Sequence, residues 1–242
     1  MNENLTGQIV VVIGGSAGIG LATARQARAA GARVVITGRD PERLGKAAAE
    51  VDAERTLTLD RGEPAQLEQV FAELPEQVDH IMAGGGGPFY APIAELDLER
   101  ARQDLDEHVV SSLHLAKLSI GRVRPGGSLT FISGTGARRP GVGLSFAAIG
   151  TAALHAITTN AAVELAPIRV NAVAAGFVDT PLSARLLGDQ LDARRAELRA
   201  TLPIRRVVGA DDVAALVLHV MTNSALTGAT FDVDGGQQLL TR

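Results

Sequence analysis

Five consecutive β-branched residues, Ile9–Ile13, run straight into the turn Gly14-Gly15-Ser16-Ala17-Gly18-Ile19-Gly20, and an Ala-rich helical stretch over 21–30 follows. A short apolar strand that turns through glycines into a helix is the opening of a βαβ unit. It commits the chain to parallel strands joined by crossover helices. The alternation continues along the sequence. Strand-like runs are expected at 33–37, 56–59, 80–83, 128–132 and 169–173, with a Pro-started helix at Pro41–Val51 and long helices over 98–120 and 145–165. A last strand ending in a turn is expected within 227–236, and a polar, Arg-rich helical excursion over a cleft mouth within 181–200.

Apolar residues make up 46% of the chain and aromatics only 3%, so the interior must be built from Ala, Val, Leu and Ile. Such an interior suits parallel strands covered by helices on both faces. The expected fold is α/β: a single Rossmann-type, doubly wound parallel sheet of about seven strands, one domain over 1–242. A net charge of −4 without a basic run argues against nucleic acid and anionic membranes as partners. With no cysteine, a disulfide framework and a thiolate metal site are both excluded. His80, His114, His155 and His219 lack metal-ligand spacing, so no metal is expected. The start, Met1-Asn2-Glu3-Asn4-Leu5, has no basic segment leading into an apolar one, and no run of eighteen apolar residues follows. A soluble cytoplasmic protein is the expectation.

Glycines between a first strand and a first helix let a pyrophosphate approach the backbone, and the helix N-terminus offers it free N–H groups. The same glycines would also serve a turn that binds nothing. Their spacing, at 14, 18 and 20, is similar to the T-G-x-x-x-G-x-G loop of the short-chain dehydrogenase/reductase family, with Ile13 in place of the Thr. The resemblance runs over nearly the whole chain. Arg169-Val170-Asn171-Ala172-Val173-Ala174-Ala175-Gly176 resembles R-V-N-A-V-x-P-G, with Ala175 in the proline's place. The segment 231–236 is similar to the closing N-V-D-G-G.

The resemblance implies a nicotinamide dinucleotide held by Gly14, Ser16, Gly18, Ile19 and Gly20. Asp60 would hold the adenine ring, Gly84 and Gly176 would let the backbone approach closely, and Thr180 would touch the carboxamide. It also implies a homo-oligomer, a dimer or tetramer, formed through the two long helices. The second strand ends Thr37-Gly38-Arg39, with Gly38 where NAD-preferring members carry Asp. Arg39 can pair with a 2′-phosphate, so NADP(H) is expected in preference to NAD(H). The competing reading of Arg39 is a solvated surface residue beside Asp40.

The family's reaction needs a phenol as proton donor and a nearby Lys to make it useful near neutrality. Here Phe146 stands in the Tyr position and Gly150 in the Lys position. His108 falls where a relay Asn is usual. The strand-five serine maps to Ser133, or to Gly134 after a shift of one residue. N-N-A-G is replaced by Ala83-Gly84-Gly85-Gly86. Ser133 and His108 are therefore the candidate catalytic residues, although a His on a helix also serves structure. Tyr90, the only phenol, either gates the cleft or simply packs its ring. Arg138-Arg139-Pro140 either meets an acidic substrate or forms a solvated turn. Three functions stay open: an oxidoreductase of small carbonyl- or hydroxyl-type substrates with an altered proton donor, a silent nucleotide-binding sensor or partner subunit, and a redox-neutral isomerase or cyclase.

Overall fold

The computed structural model describes residues 4–240. Met1, Asn2, Glu3, Thr241 and Arg242, which enter the N-terminal reading and the expected span of the domain, lie outside the described residues. In chain order the elements are β1 (Ile9–Ile13), α1 (Gly18–Ala29), β2 (Arg33–Gly38), α2 (Pro41–Val51), β3 (Arg55–Thr58), α3 (Pro64–Glu73), β4 (Val78–Ala83) and α4 (Leu98–Leu105). A π turn (Asp106–Val110) leads into α5 (Ser111–Ser119), β5 (Val123–Gly134), α6 (Ser145–Glu164), β6 (Arg169–Ala175) and β7 (Val178–Asp179). The chain continues through α7 (Pro181–Leu187), α8 (Leu191–Thr201), β8 (Val208–Gly209), α9 (Ala210–Thr222) and β9 (Thr230–Val233). Seven strands form one parallel sheet in the order β3-β2-β1-β4-β5-β6-β9, as expected for a doubly wound fold. β7 and β8 pair separately.

Alternation along each strand feeds two cores. From β1, Val10 and Val12 pack with Ala24 and Ala27 of α1, Leu44 and Ala47 of α2, and Val213, Val217 and Met221 of α9. Val11 and Ile13 point the other way, to Leu67, Val70 and Phe71 of α3, Leu115 of α5, and Leu154 and Ile157 of α6. Burying such a side chain fully contributes about 1.5–3 kcal/mol. Helix α6 is long and apolar enough by composition to cross a membrane. It packs here on β5, β6 and α5 as one of the layers.

Three expectations change. The helix expected over 98–120 is α4 and α5 joined by the π turn, where Ser111 and Ser112 donate their hydroxyls back to the Glu107 and His108 carbonyls at 2.5 and 2.6 Å. β5 starts at Val123 rather than at 128, because Val123 pairs with Val78 across an irregular register before the regular ladder begins. β9 starts only at Thr230. Before it, Thr227 turns its hydroxyl to the Val170 N–H, and Asn171 brackets the same bend through Leu226 O and Ala229 N.

Two buried polar residues explain the sheet's lower end. Arg169 donates to the carbonyls of Val220, Met221, Asn223 and Leu226 at 2.6–3.2 Å, closing the C-terminus of α9, where a cation is favoured. His80 lies between Ser128 Oγ at 2.8 Å and Gln8 Oε1 at 2.7 Å. Burial, reinforced by the charges of Arg169 and Arg124, holds its imidazole down to about 3. Because the folded value is depressed, the contribution of neutral His80 is intact above pH ~6.5 and is lost as pH falls from there toward 3. Urea unfolding at pH 7.5 and 5 should show the wild type losing about 2 kcal/mol more than His80→Asn. Equal losses in the two proteins would rule this out.

Candidate functional site

Parallel sheets bind ligands beyond the carboxyl ends of their strands, where the strand order reverses. In this chain that point lies between β1 and β4, and both strands run directly into glycine, Gly14 and Gly84. Gly14 has φ +80, and a Cβ on it would sit 3.0 Å from Gly84 C and Gly85 N. A Cβ on Gly20 would fall 2.1 Å from the Gly14 carbonyl oxygen. Gly15 N donates to Thr37 O at 2.8 Å, and Gly14 N reaches Thr37 Oγ1 at 3.4 Å, while Ile13 turns its side chain into the core. Helix α1 then starts at Gly18 without a side-chain cap and without an acidic residue in its first turn. The N–H groups of Gly18, Ile19 and Gly20 have no intrahelical acceptor and carry the positive end of the helix dipole. Thr180, which caps α7, places its Cβ and Cγ2 3.5 Å from a Cβ built on Gly18, so the loop after β7 closes over the turn. Gly176 is held against Asp234 and Gln237, where a Cβ would meet Gln237 Oε1 at 2.6 Å.

Gly38 ends β2 against Ser16: a Cβ on Gly38 would lie 2.9 Å from Ser16 Oγ. Arg39 is exposed and makes no hydrogen bond or ion pair among the described residues. Its neighbour Asp40 instead caps α2 through the N–H groups of Glu42 and Arg43 and pairs with the Arg43 guanidinium at 3.1 Å. Asp60 accepts from Gly62 N at 3.1 Å. These residues fit a nicotinamide dinucleotide, with N–H groups for the pyrophosphate, an unengaged guanidinium on Arg39 after the second strand, and a carboxylate on Asp60 after the third.

Arg61 is a residue that the sequence pattern did not single out. Its guanidinium turns inward to Gly84 O at 3.2 Å and to the hydroxyls of Ser111 and Ser112 at 2.9 Å. Burial lowers its value to about 10, with the Glu107 carboxylate acting in the opposite direction. Arg61 thus ties the end of β4 to the π turn, in the region where the N-N-A-G asparagine side chains are missing. Its only signal in the sequence was a cation directly after Asp60.

At the reaction end, Phe146 lies in the first turn of α6 and meets Phe89 edge to face, with centroids 5.9 Å apart. A Cβ on Gly150 would touch nothing within 4 Å, so the side of α6 where the Lys belongs is open. Ser133 lies near the end of β5, level with Ala174 of β6, and its hydroxyl makes no hydrogen bond among the described residues. Gly134, the alternative position, turns its Cα face toward Thr151 of α6. His108 sits in the π turn, which packs against α6. Its Nδ1 faces the Asp104 carbonyl at 3.0 Å and the Asp104 carboxylate at 3.4 Å, and its Nε2 lies against Gly86. The Asp-x-x-x-His spacing was visible in the sequence but carried no weight without the fold.

Tyr90 is half exposed, and partial burial raises its phenol further from neutrality. Arg138 is exposed, in keeping with a solvated turn, and both its terminal nitrogens engage the Asp232 carboxylate, at 2.8 and 2.5 Å. Among the described residues no group of three or more His, Asp or Glu side chains is placed to hold a metal ion.

A family model described as Enoyl-(Acyl carrier protein) reductase matches residues 13–238. Short-chain dehydrogenase/reductase ATR9 of Stachybotrys chlorohalonatus is 30% identical over 255 residues, covering 96% of this chain and 97% of that protein. The structure of MalC Reductase/Diels-Alderase from Malbranchea aurantiaca superimposes with a TM-score of 0.89 at 25% identity, covering 99% of this chain and all of that one. A small-chain dehydrogenase in complex with NADPH gives 0.84 at 27% identity, covering 97% and 100% of the two chains. The family model spans the glycine turn and the sheet from the end of β1 to the closing strand β9, and the chain belongs to the short-chain dehydrogenase/reductase family.

Proposed function

We propose that the chain is an NADP(H)-dependent oxidoreductase acting on a small carbonyl- or hydroxyl-bearing substrate through an altered proton path. The observation that carries the cofactor choice is Arg39, exposed and unengaged, directly after Gly38, which packs on Ser16 and stands where an acid would repel a 2′-phosphate. The similar dehydrogenase in complex with NADPH supports it. When bound, the dinucleotide supplies or takes a hydride. Ser133 donates its hydroxyl to the substrate oxygen, and His108, or water beside it, handles the proton. Phe146 and Phe89 form an apolar wall that excludes water from the reacting carbon. The proposed assembly is a homo-oligomer, supported by exposed apolar side chains on and beside the two long helices, among them Val110, Leu113, Ile149 and Val163.

A second reading, a nucleotide-binding protein without catalysis, is favoured by one specific observation: neither Phe146 nor Gly150 can ionise, and the side of Gly150 is left open. Positioned general acids contribute about 10²–10⁴-fold, so their loss is chemically large.

Calorimetry separates the cofactor question from the chemistry. NADPH should bind at or below about 10 μM, roughly −7 kcal/mol. Arg39→Asp should weaken NADPH at least about tenfold, as expected when a charge-assisted pair is replaced by repulsion, and NADH much less. Equal effects on both nucleotides would remove Arg39 from the 2′-phosphate site. In a carbonyl-reduction screen, Ser133→Ala and His108→Ala should each lower NADPH turnover by at least about tenfold. Unchanged turnover in both would withdraw those roles. The double variant Phe146→Tyr/Gly150→Lys should raise carbonyl reduction by about 10²-fold or more, since the added Lys enters open space. No gain would mean that the cleft has diverged beyond these two positions.

A further inference from the structure

Charged side chains are rarely buried, so surface segments ordinarily carry them. Two segments at the cleft depart from that pattern. In a chain of which 21% is charged, neither 84–94 nor 140–149 contains an Asp, Glu, Lys or Arg. The first leaves the carboxyl end of β4, and the second leads into the first turns of α6. Between them they carry Phe89, Tyr90, Ile93, Val142, Leu144 and Phe146.

The fold brings the two segments together. Ala91 donates its N–H to the Gly143 carbonyl at 3.2 Å, and a Cβ on Gly143 would lie 3.7 Å from Pro92 N. Phe89 meets Phe146 edge to face. A Cβ on Gly87 would stand 3.0 Å from Leu182 Cδ1, so α7 closes the first segment from another side. The chain therefore runs from Gly86, against the His108 ring, past Leu182 and the two phenyl rings to the mouth of the cleft. There Tyr90 and Val142 flank the Ala91–Gly143 contact and Ile93 follows it. Val142 is 90% and Ile93 76% exposed, and Tyr90 is half exposed.

Single exposed apolar residues are common on any surface. A group of them gathered around one contact marks a place that an apolar partner covers. The partner that fits here is the substrate, because the same lining starts at the reacting end, beside His108 and Phe146, and reaches the rim without an interruption by charge. Partial burial pushes the Tyr90 phenol up, which keeps it neutral near pH 7. Arg138, just before the second segment, is already engaged by Asp232. We infer that the rim of Tyr90, Ile93 and Val142 holds the apolar body of the substrate, a neutral carbonyl or alcohol compound bearing an alkyl or aryl group. Polyols and phosphorylated sugars lie outside this class. The inference rests on the oxidoreductase reading for which end of the substrate reacts.

Tyr90 is the only tyrosine in the chain, so ring-¹³C tyrosine gives the full-length protein one set of NMR signals at the rim. These are titrated with 2-butanone, 2-octanone and fructose, first without nucleotide and then with NADP⁺. A fully buried methylene strengthens binding about fourfold, so a half-open rim should hold 2-octanone at least about tenfold more tightly than 2-butanone. Fructose should leave the signals in place. Val142→Asp should weaken 2-octanone at least about fivefold and 2-butanone much less, since the added charge must lose water only under the longer chain. If that variant does not fold by circular dichroism, Ile93→Ser takes its place. Equal affinities for the two ketones, or tighter binding of fructose, would overturn the inference. Phosphatidylcholine vesicles that broaden the signals while 2-octanone leaves them unmoved would assign the rim to a lipid surface and overturn it too. So would signals that depend on protein concentration in the wild type but not in Val142→Asp, which would assign the rim to a second copy of the chain. Absence of NADPH binding in calorimetry would remove the oxidoreductase reading, while the ketone series without nucleotide would still decide what the rim holds.

Discussion

Two backbones lie in contact where the first and fourth strands end, and the rest of the site is arranged around that contact. Gly14 and the Gly84–Gly85 pair approach so closely that no side chain fits between them. The closeness follows from the parallel ladder, which brings Ile13 level with Ala83 and leaves the next residues of both strands to turn away in opposite directions. The crevice opens between those turns. Helix α1 points its N-terminus into it, Arg39 and Asp60 stand at the outer end, and Phe146, Ser133 and His108 are brought to the inner end by α6, β5 and the π turn.

The sheet was legible in the sequence because its signals are local. β-branched runs such as Ile9–Ile13, glycine turns and a proline at the head of α2 each declare themselves within a few residues. The glycine turn at 14–20 was legible for the same reason, since its residues are contiguous and sit between a clear strand and a clear helix. Strand limits that depend on a distant partner were not. The early start of β5 comes from Val78, and the late start of β9 from Asn171 and Thr227. The π turn was also hidden. Residues 98–120 read as one helix, and the change of winding is set by serine hydroxyls and by an arginine fifty residues away in sequence.

The inner end shows what remains when an ionisable pair is replaced by neutral residues. A phenol and an ammonium are absent from α6, and the polar group that the π turn brings forward is His108, with Nδ1 on the Asp104 main-chain carbonyl and Nε2 against Gly86. The α6 wall becomes aromatic, through Phe146 and its partner Phe89. The crevice thus presents hydrocarbon on one side and hydrogen-bonding groups on the other, an asymmetry that orients small molecules in pockets generally.

Arg61 gives the crevice a property that no single wall has. Arg61 directly follows Asp60 in the chain, and its guanidinium ends on the serine that holds the His108 carbonyl. Only two hydrogen bonds separate the far end of the nucleotide site from the backbone of the imidazole. The two ends therefore share a mechanical frame: displacement of the loop after β3 is carried to the π turn by a rigid planar group rather than by a flexible chain. A chain with a small aliphatic residue at this position would have two independent half-sites, whereas this one has a single braced crevice.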